Sequence, residues 1–183
     1  MEDQFQYTSL PISQFILTQH QTLIVSGQDT KKVDAILHHS VELNCEVRKA
    51  FEMFTVNRLL EPWLILPYGG SHADIEPFLG GKYELFWDKT DKHRNSTIEC
   101  RITLIEPNKL LSFEWKGPPE FAAVMNNYPL THVTVAFFPQ KNGTEVHLVH
   151  SGWGTTAEWQ RAREWFRKSW QSAFQKLSAR SQR

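Results

Sequence analysis

The sequence predicts an α+β fold: a curved antiparallel sheet wrapped around one long C-terminal helix, with two short helices after the first core strand. Three observations carry this expectation. An alternating segment, Thr144-Glu-Val-His-Leu-Val-His150, runs through the turn Ser151-Gly-Trp-Gly154 into a long amphipathic stretch from about Thr156 to Ala179. At about 100° per residue, Trp159, Ala162, Phe166, Trp170, Ala173, Phe174 and Leu177 gather on one stripe, so this helix needs a broad apolar partner. Finally, several alternating segments lie at hairpin distances from one another, and helical spacing follows the first of them.

Taken in order, residues 1–34 read as an N-terminal extension with one extra strand, marked by Thr22-Leu-Ile-Val25 before Ser26-Gly-Gln-Asp29. Residues 35–183 form the predicted domain. Leu37, His39, Val41 and Leu43 share a face at period two, the signature of a half-buried strand. Asn44 is placed to cap a helix over Cys45 to Thr55, where Val47, Ala50, Phe51 and Phe54 recur at helical spacing. A second helical piece, Val56 to Leu60, is expected to end before Pro62-Trp63. Gly69-Gly70 marks a loop, and Ala73, Ile75 and Pro77 alternate before the turn at Gly80-Gly81. Four further strands follow from alternation: Tyr83, Leu85 and Trp87; Ile98, Cys100, Ile102 and Leu104; Leu111, Phe113 and Trp115; Val133, Val135 and Phe137. Turns at Asp88–Asn95, Glu106–Lys109 and Pro139–Gly143 make the sheet mainly antiparallel. Residues 117–130, with one turn of helix around Phe121 to Met125, are the least regular stretch.

Twenty basic residues balance twenty acidic ones, which speaks against nucleic acid or an anionic membrane as partner. Cys45 and Cys100 form no C-x-x-C pair and read as reduced thiols of a cytoplasmic protein. The N-terminus lacks a basic start followed by an apolar run, and no window approaches the ~18 apolar residues of a membrane span. Seven Trp, twelve Phe and four Tyr can build either a bulky core or an aromatic-lined pocket.

The order of elements, with Val47-Arg-Lys-Ala-Phe51, Glu61-Pro-Trp63, Gly80-Gly-Lys-Tyr83, Ile105-Glu-Pro-Asn-Lys-Leu110, Gly143-Thr144 and His150-Ser-Gly152, resembles the helix-grip fold of the SRPBCC superfamily. That superfamily includes START domains and the birch-pollen-allergen family. Within it, the chain resembles the activator-of-heat-shock-chaperone-ATPase homologue family over about residues 35–179. The resemblance implies the fold, and it implies either a small-molecule pocket or association with a heat-shock chaperone in a stress response.

Catalytic templates are absent. There is no G-x-S-x-G elbow, no phosphate loop, no dinucleotide fingerprint and no H-E-x-x-H zinc helix, and the acidic residues are scattered. No catalytic residue, cofactor or metal is assigned. His147 and His150, three apart on a strand, project to opposite faces and cannot share one ion without a bulge. His150 shares the face of Val146 and Leu148; it either meets a ligand or is a core histidine satisfied by a backbone carbonyl. Arg163 falls near Trp159, Trp170 and Phe174 on the helical projection. Its guanidinium either grips the acidic group of a ligand, forms an ion pair, or snorkels to water.

The functional expectation is a non-enzymatic binding domain whose pocket is lined by Trp63, Trp87, Trp115, His150, Trp153, Arg163 and Trp170, holding a small apolar or amphipathic molecule. The alternative is a chaperone-associated interaction module. An enzyme acting on a pocket-bound hydrophobic ligand is a third reading, and a homodimer formed through the apolar arm of residues 10–25 is a further expectation.

Overall fold

The computed structural model describes residues 36–65, 72–88 and 90–181. The expected N-terminal extension, its apolar arm and the Gly69-Gly70 loop lie outside them. The elements run β1 (Leu37–Leu43), α1 (Val47–Thr55), α2 (Asn57–Leu64), β2 (His72–Ile75), β3 (Tyr83–Phe86), β4 (Ile102–Glu106) and β5 (Leu110–Trp115). A 3-10 turn (Pro119–Phe121) then leads into α3 (Ala122–Met125), followed by β6 (Thr131–Gln140), β7 (Gly143–Ser151) and α4 (Ala157–Ser181).

Five strands form one antiparallel sheet in the order β1-β7-β6-β5-β4, and β2 pairs antiparallel with β3. A bridge between Lys82 and Arg101 carries the β2–β3 hairpin onto the β4 edge. Period-two alternation sends Val133, Val135 and Phe137 of β6 and Thr144, Val146, Leu148 and His150 of β7 to the inner face. Against this face lies α4, burying Ala162, Phe166, Trp170, Ala173, Phe174 and Leu177 along β1 and α2. Each large apolar side chain removed from water here contributes about 1.5–3 kcal/mol. This is the α+β helix-grip architecture. The helix is also tied down at its far end, where the Asn44 backbone N–H donates to Ser181 Oγ at 3.2 Å.

Three local expectations differ from the structure. Asn44 does not cap α1; Glu46 holds the cap position without a side-chain bond, and the helix begins at Val47. The connection is pinned instead by Thr144 Oγ1, which donates to the Cys45 carbonyl at 2.8 Å. The second helix does not stop before Pro62 but runs through it to Leu64. Leu60 and Trp63 are fully buried, and Asn57 and Glu61 accept the backbone N–H groups of Ile75 and Ala73 at 3.1 and 3.0 Å. Those tertiary contacts outweigh the helix bond that proline forgoes. Lastly, Ile98 and Cys100 lie outside β4, because Glu99 turns the chain with a φ of 70°. A register shift between Ile102 and Leu104 then turns Leu104 outward, leaving it 42% exposed.

Candidate functional site

A cavity of about 500 Å³ opens along one flank of α4. Each of its aromatic walls has a local cause. Trp63 projects inward from α2, its indole N–H donating to the Met53 carbonyl at 3.0 Å and its ring packing on Phe54. Trp115 ends the inward row Leu111, Phe113, Trp115 of β5. Trp170 and Phe166 come from the buried stripe of α4, and Trp87, just past β3, meets Trp115 edge-on at 6.1 Å. Trp115 and Trp170 stand 5.1 Å apart. Four of the seven residues expected from sequence, Trp63, Trp87, Trp115 and Trp170, thus line this cavity.

Its polar lining is one-sided. Lys116, Lys168 and Lys176 border it together with Asn95, Ser169 and Ser172, and among the described residues no carboxylate does. Lys116 is committed to the fold, donating to the Ile98 carbonyl at 2.7 Å and Glu99 at 3.2 Å. Lys168 reaches only to 3.7 Å from Glu164, a carboxylate already gripped by Arg167 through bonds of 2.8 and 2.7 Å. That grip holds the Glu164 carboxyl down at about 2. The indole N–H of Trp115, a residue only 3% exposed, has no acceptor among the described residues.

His150 and Trp153 lie elsewhere, in a sealed region beside the cavity. The Trp170 indole N–H donates to His150 Nδ1 at 3.1 Å, so that nitrogen carries no proton and Nε2 does. Nε2 donates in turn to Thr131 Oγ1 at 2.9 Å, and Thr131 donates to the Trp115 carbonyl at 3.0 Å. Trp153 donates to the His150 carbonyl at 2.9 Å. Burial, and to a lesser degree the charge of His132, hold the His150 imidazole well below its ordinary value. It is a neutral core residue, partnered by an indole and a hydroxyl rather than a backbone carbonyl.

Arg163 also lies off the cavity. At 100° per residue it falls on the flank of α4 shared with Phe174 and Gln171, residues that line a shallower hollow with His39 and Val41 of β1. The large cavity opens on the other flank. Half-buried, Arg163 makes no hydrogen bond or ion pair within the described residues. In that hollow His39 meets Phe174 edge-on at 6.2 Å, and burial, then His38 and Arg167, lower its affinity for a proton.

Residues 44–182 match the family model described as Activator of Hsp90 ATPase homolog 1-like protein. The chain belongs to this family. Solved structures with the same fold include a protein from Mesorhizobium loti, 21% identical, covering 79% of this chain and 95% of that one, with a TM-score of 0.61. An HSP90 activator from Plasmodium falciparum is 17% identical over 79% of this chain and 94% of its own, with a TM-score of 0.59. The Aha1 dimer from Colwellia psychrerythraea is 15% identical over 79% and 93%, with a TM-score of 0.58. Among curated proteins none matches the sequence.

In this member of the activator family the thiols are poorly disposed to react. Burial pushes Cys100 up to about 12 and raises Cys45 as well. Among the described residues no group of three His, Cys, Asp or Glu side chains could hold a metal, and no helix is long and apolar enough to cross a membrane. Sequence reasoning missed the lysines and serines of the cavity. Their signal was present in the helical projection, where Trp165, Ser169, Ser172 and Lys176 share a flank of α4. Which flank faces open space is decided by how α2 and β5 pack, and no local pattern encodes that.

Proposed function

We propose that this activator-family protein is a non-enzymatic carrier or sensor that holds a small apolar or amphipathic molecule in the cavity beside α4. The observation that supports it is open volume of about 500 Å³ walled by Trp63, Trp87, Trp115 and Trp170, within the size and character of small-molecule sites. A reducing cytoplasm is the compartment that the two free thiols favour. The test is thermal melting against a panel of hydrophobic metabolites. At a concentration about 100 times its Kd, a true ligand stabilises by about 2.7 kcal/mol, or about 5–10 °C for a domain of this size. Ser169→Phe, which places a ring in the cavity from its rim, abolishes the gain while far-UV circular dichroism stays unchanged. A panel without any stabilising member, or gains that survive Ser169→Phe, count against the reading.

A second reading, a chaperone-associated module, is favoured by the family description and by the fold shared with the Plasmodium HSP90 activator. Adding the purified protein to a heat-shock chaperone and measuring ATP turnover separates it from the first. The Colwellia dimer makes self-association worth the same attention, through light scattering of the full chain. The enzymatic reading gains nothing from the hydroxyl–imidazole pair of Thr131 and His150, which is fully buried with the imidazole donating.

A further inference from the structure

We infer that the cavity selects amphipathic anions: an apolar body between the indoles, an anionic group at Lys168 and Lys176, and an acceptor atom for the Trp115 indole N–H. This rests on the cavity being a ligand site. Two independent observations lead to the class of ligand.

The first is charge. Among the described residues the ionisable groups on the lining are all lysines, so the wall itself presents positive charge, with Glu99 and Glu164 set behind Lys116 and Lys168 rather than on it. Lys116 is held by Ile98 and Glu99, but Lys168 has only a distant, shared carboxylate, and Lys176 makes no ion pair or hydrogen bond among the described residues. Lys168, Ser172 and Lys176 recur every four residues, which aligns them as one row along α4, about 12 Å from end to end. The helix dipole rewards a cation in the last turn, where Arg180 sits. It does not account for Lys168 in the middle of α4.

The second is an unmade hydrogen bond. Four tryptophans are buried, Trp63, Trp115, Trp153 and Trp170. Three of them donate, to the Met53 carbonyl, the His150 carbonyl and His150 Nδ1. Trp115 alone finds no acceptor among the described residues, and Trp115 is on the cavity wall. Buried indole N–H groups normally find acceptors; a carboxylate or hydroxyl oxygen brought by a ligand supplies this one.

The experiment is calorimetric titration of the full chain with three eight-carbon probes: octanoate, 1-octanol and octylammonium. Octanoate binds about fivefold more tightly than octanol, octylammonium binds more weakly than either, and high salt closes the gap. The double variant Lys168→Gln/Lys176→Gln, altered only at exposed positions, brings octanoate to the level of octanol. Trp115→Phe weakens octanoate and octanol together. Equal binding of octanoate and octanol, or a gap that persists in the double variant, overturns the anion selectivity while leaving the cavity reading in place. Failure of all three probes to bind overturns both.

Discussion

Two aromatic clusters meet where Trp115 and Trp170 face each other, and they are finished to different degrees. On the His150 side, each polar atom has a partner: indole to imidazole, imidazole to hydroxyl, hydroxyl to carbonyl. On the other side stand open volume, a lone indole N–H and a rim of lysines. Both clusters are rich in tryptophan and both draw on α4 and the end of β5. Aromatic content therefore does not separate a core from a pocket; completeness of hydrogen bonding does.

The sharpest way to break this contrast is to delete His150. His150→Ala leaves the Trp170 indole and Thr131 hydroxyl without their partner and opens a hole, for an expected loss of about 3–5 kcal/mol in urea unfolding. Trp87→Ala, at the half-buried mouth of the cavity, costs about 1 kcal/mol by the same measurement. Equal losses would erase the distinction between the two regions.

Next in size is a pair of indole-to-phenyl changes. Trp170→Phe removes the donor to His150 and costs about 1–3 kcal/mol more than Trp115→Phe, whose N–H has nothing to lose. A Trp115→Phe variant that is the less stable of the two would mean that its N–H is satisfied after all.

A pH series sharpens the same comparison. The folded state depresses proton binding at His150 below the ordinary 6.5, so the unfolded chain takes up the proton first. Stability is complete above about pH 6.5 and falls as pH drops below it, by up to about 1.4 kcal/mol per unit from this residue. His39, lowered less completely, adds a smaller slope in the same direction. Chemical denaturation at successive pH values checks this, and His150→Asn flattens the curve without removing the His39 part.

The smallest expected effect is at Arg163. Because it stands on the opposite flank of α4 from the cavity, Arg163→Ala leaves ligand-induced stabilisation unchanged and shifts the melt by no more than about 0.5 kcal/mol. A variant that loses binding would return Arg163 to the site.

Much of this was legible before the structure. Period-two alternation located the strands that pack on α4, and the 3.6-residue stripe from Ala162 to Leu177 gave its buried face, because both patterns are direct images of burial. The misses share a different origin. Leu104 obeyed the alternation until a shift in register turned it outward, and Pro62 sat inside a helix held by contacts with β2. Arg163 had the correct helical angle but the wrong flank. In each case the deciding contact comes from residues distant in sequence, which local spacing does not record.

The walls of the cavity carry one further consequence. Indoles emit light whose colour and yield respond to what touches them, and here Trp63, Trp87, Trp115, Trp165 and Trp170 border the cavity, while Trp153 is not on its lining. On the proposed reading the protein is its own optical gauge of occupancy. On that reading a guest entering between those rings perturbs their emission, with no label attached.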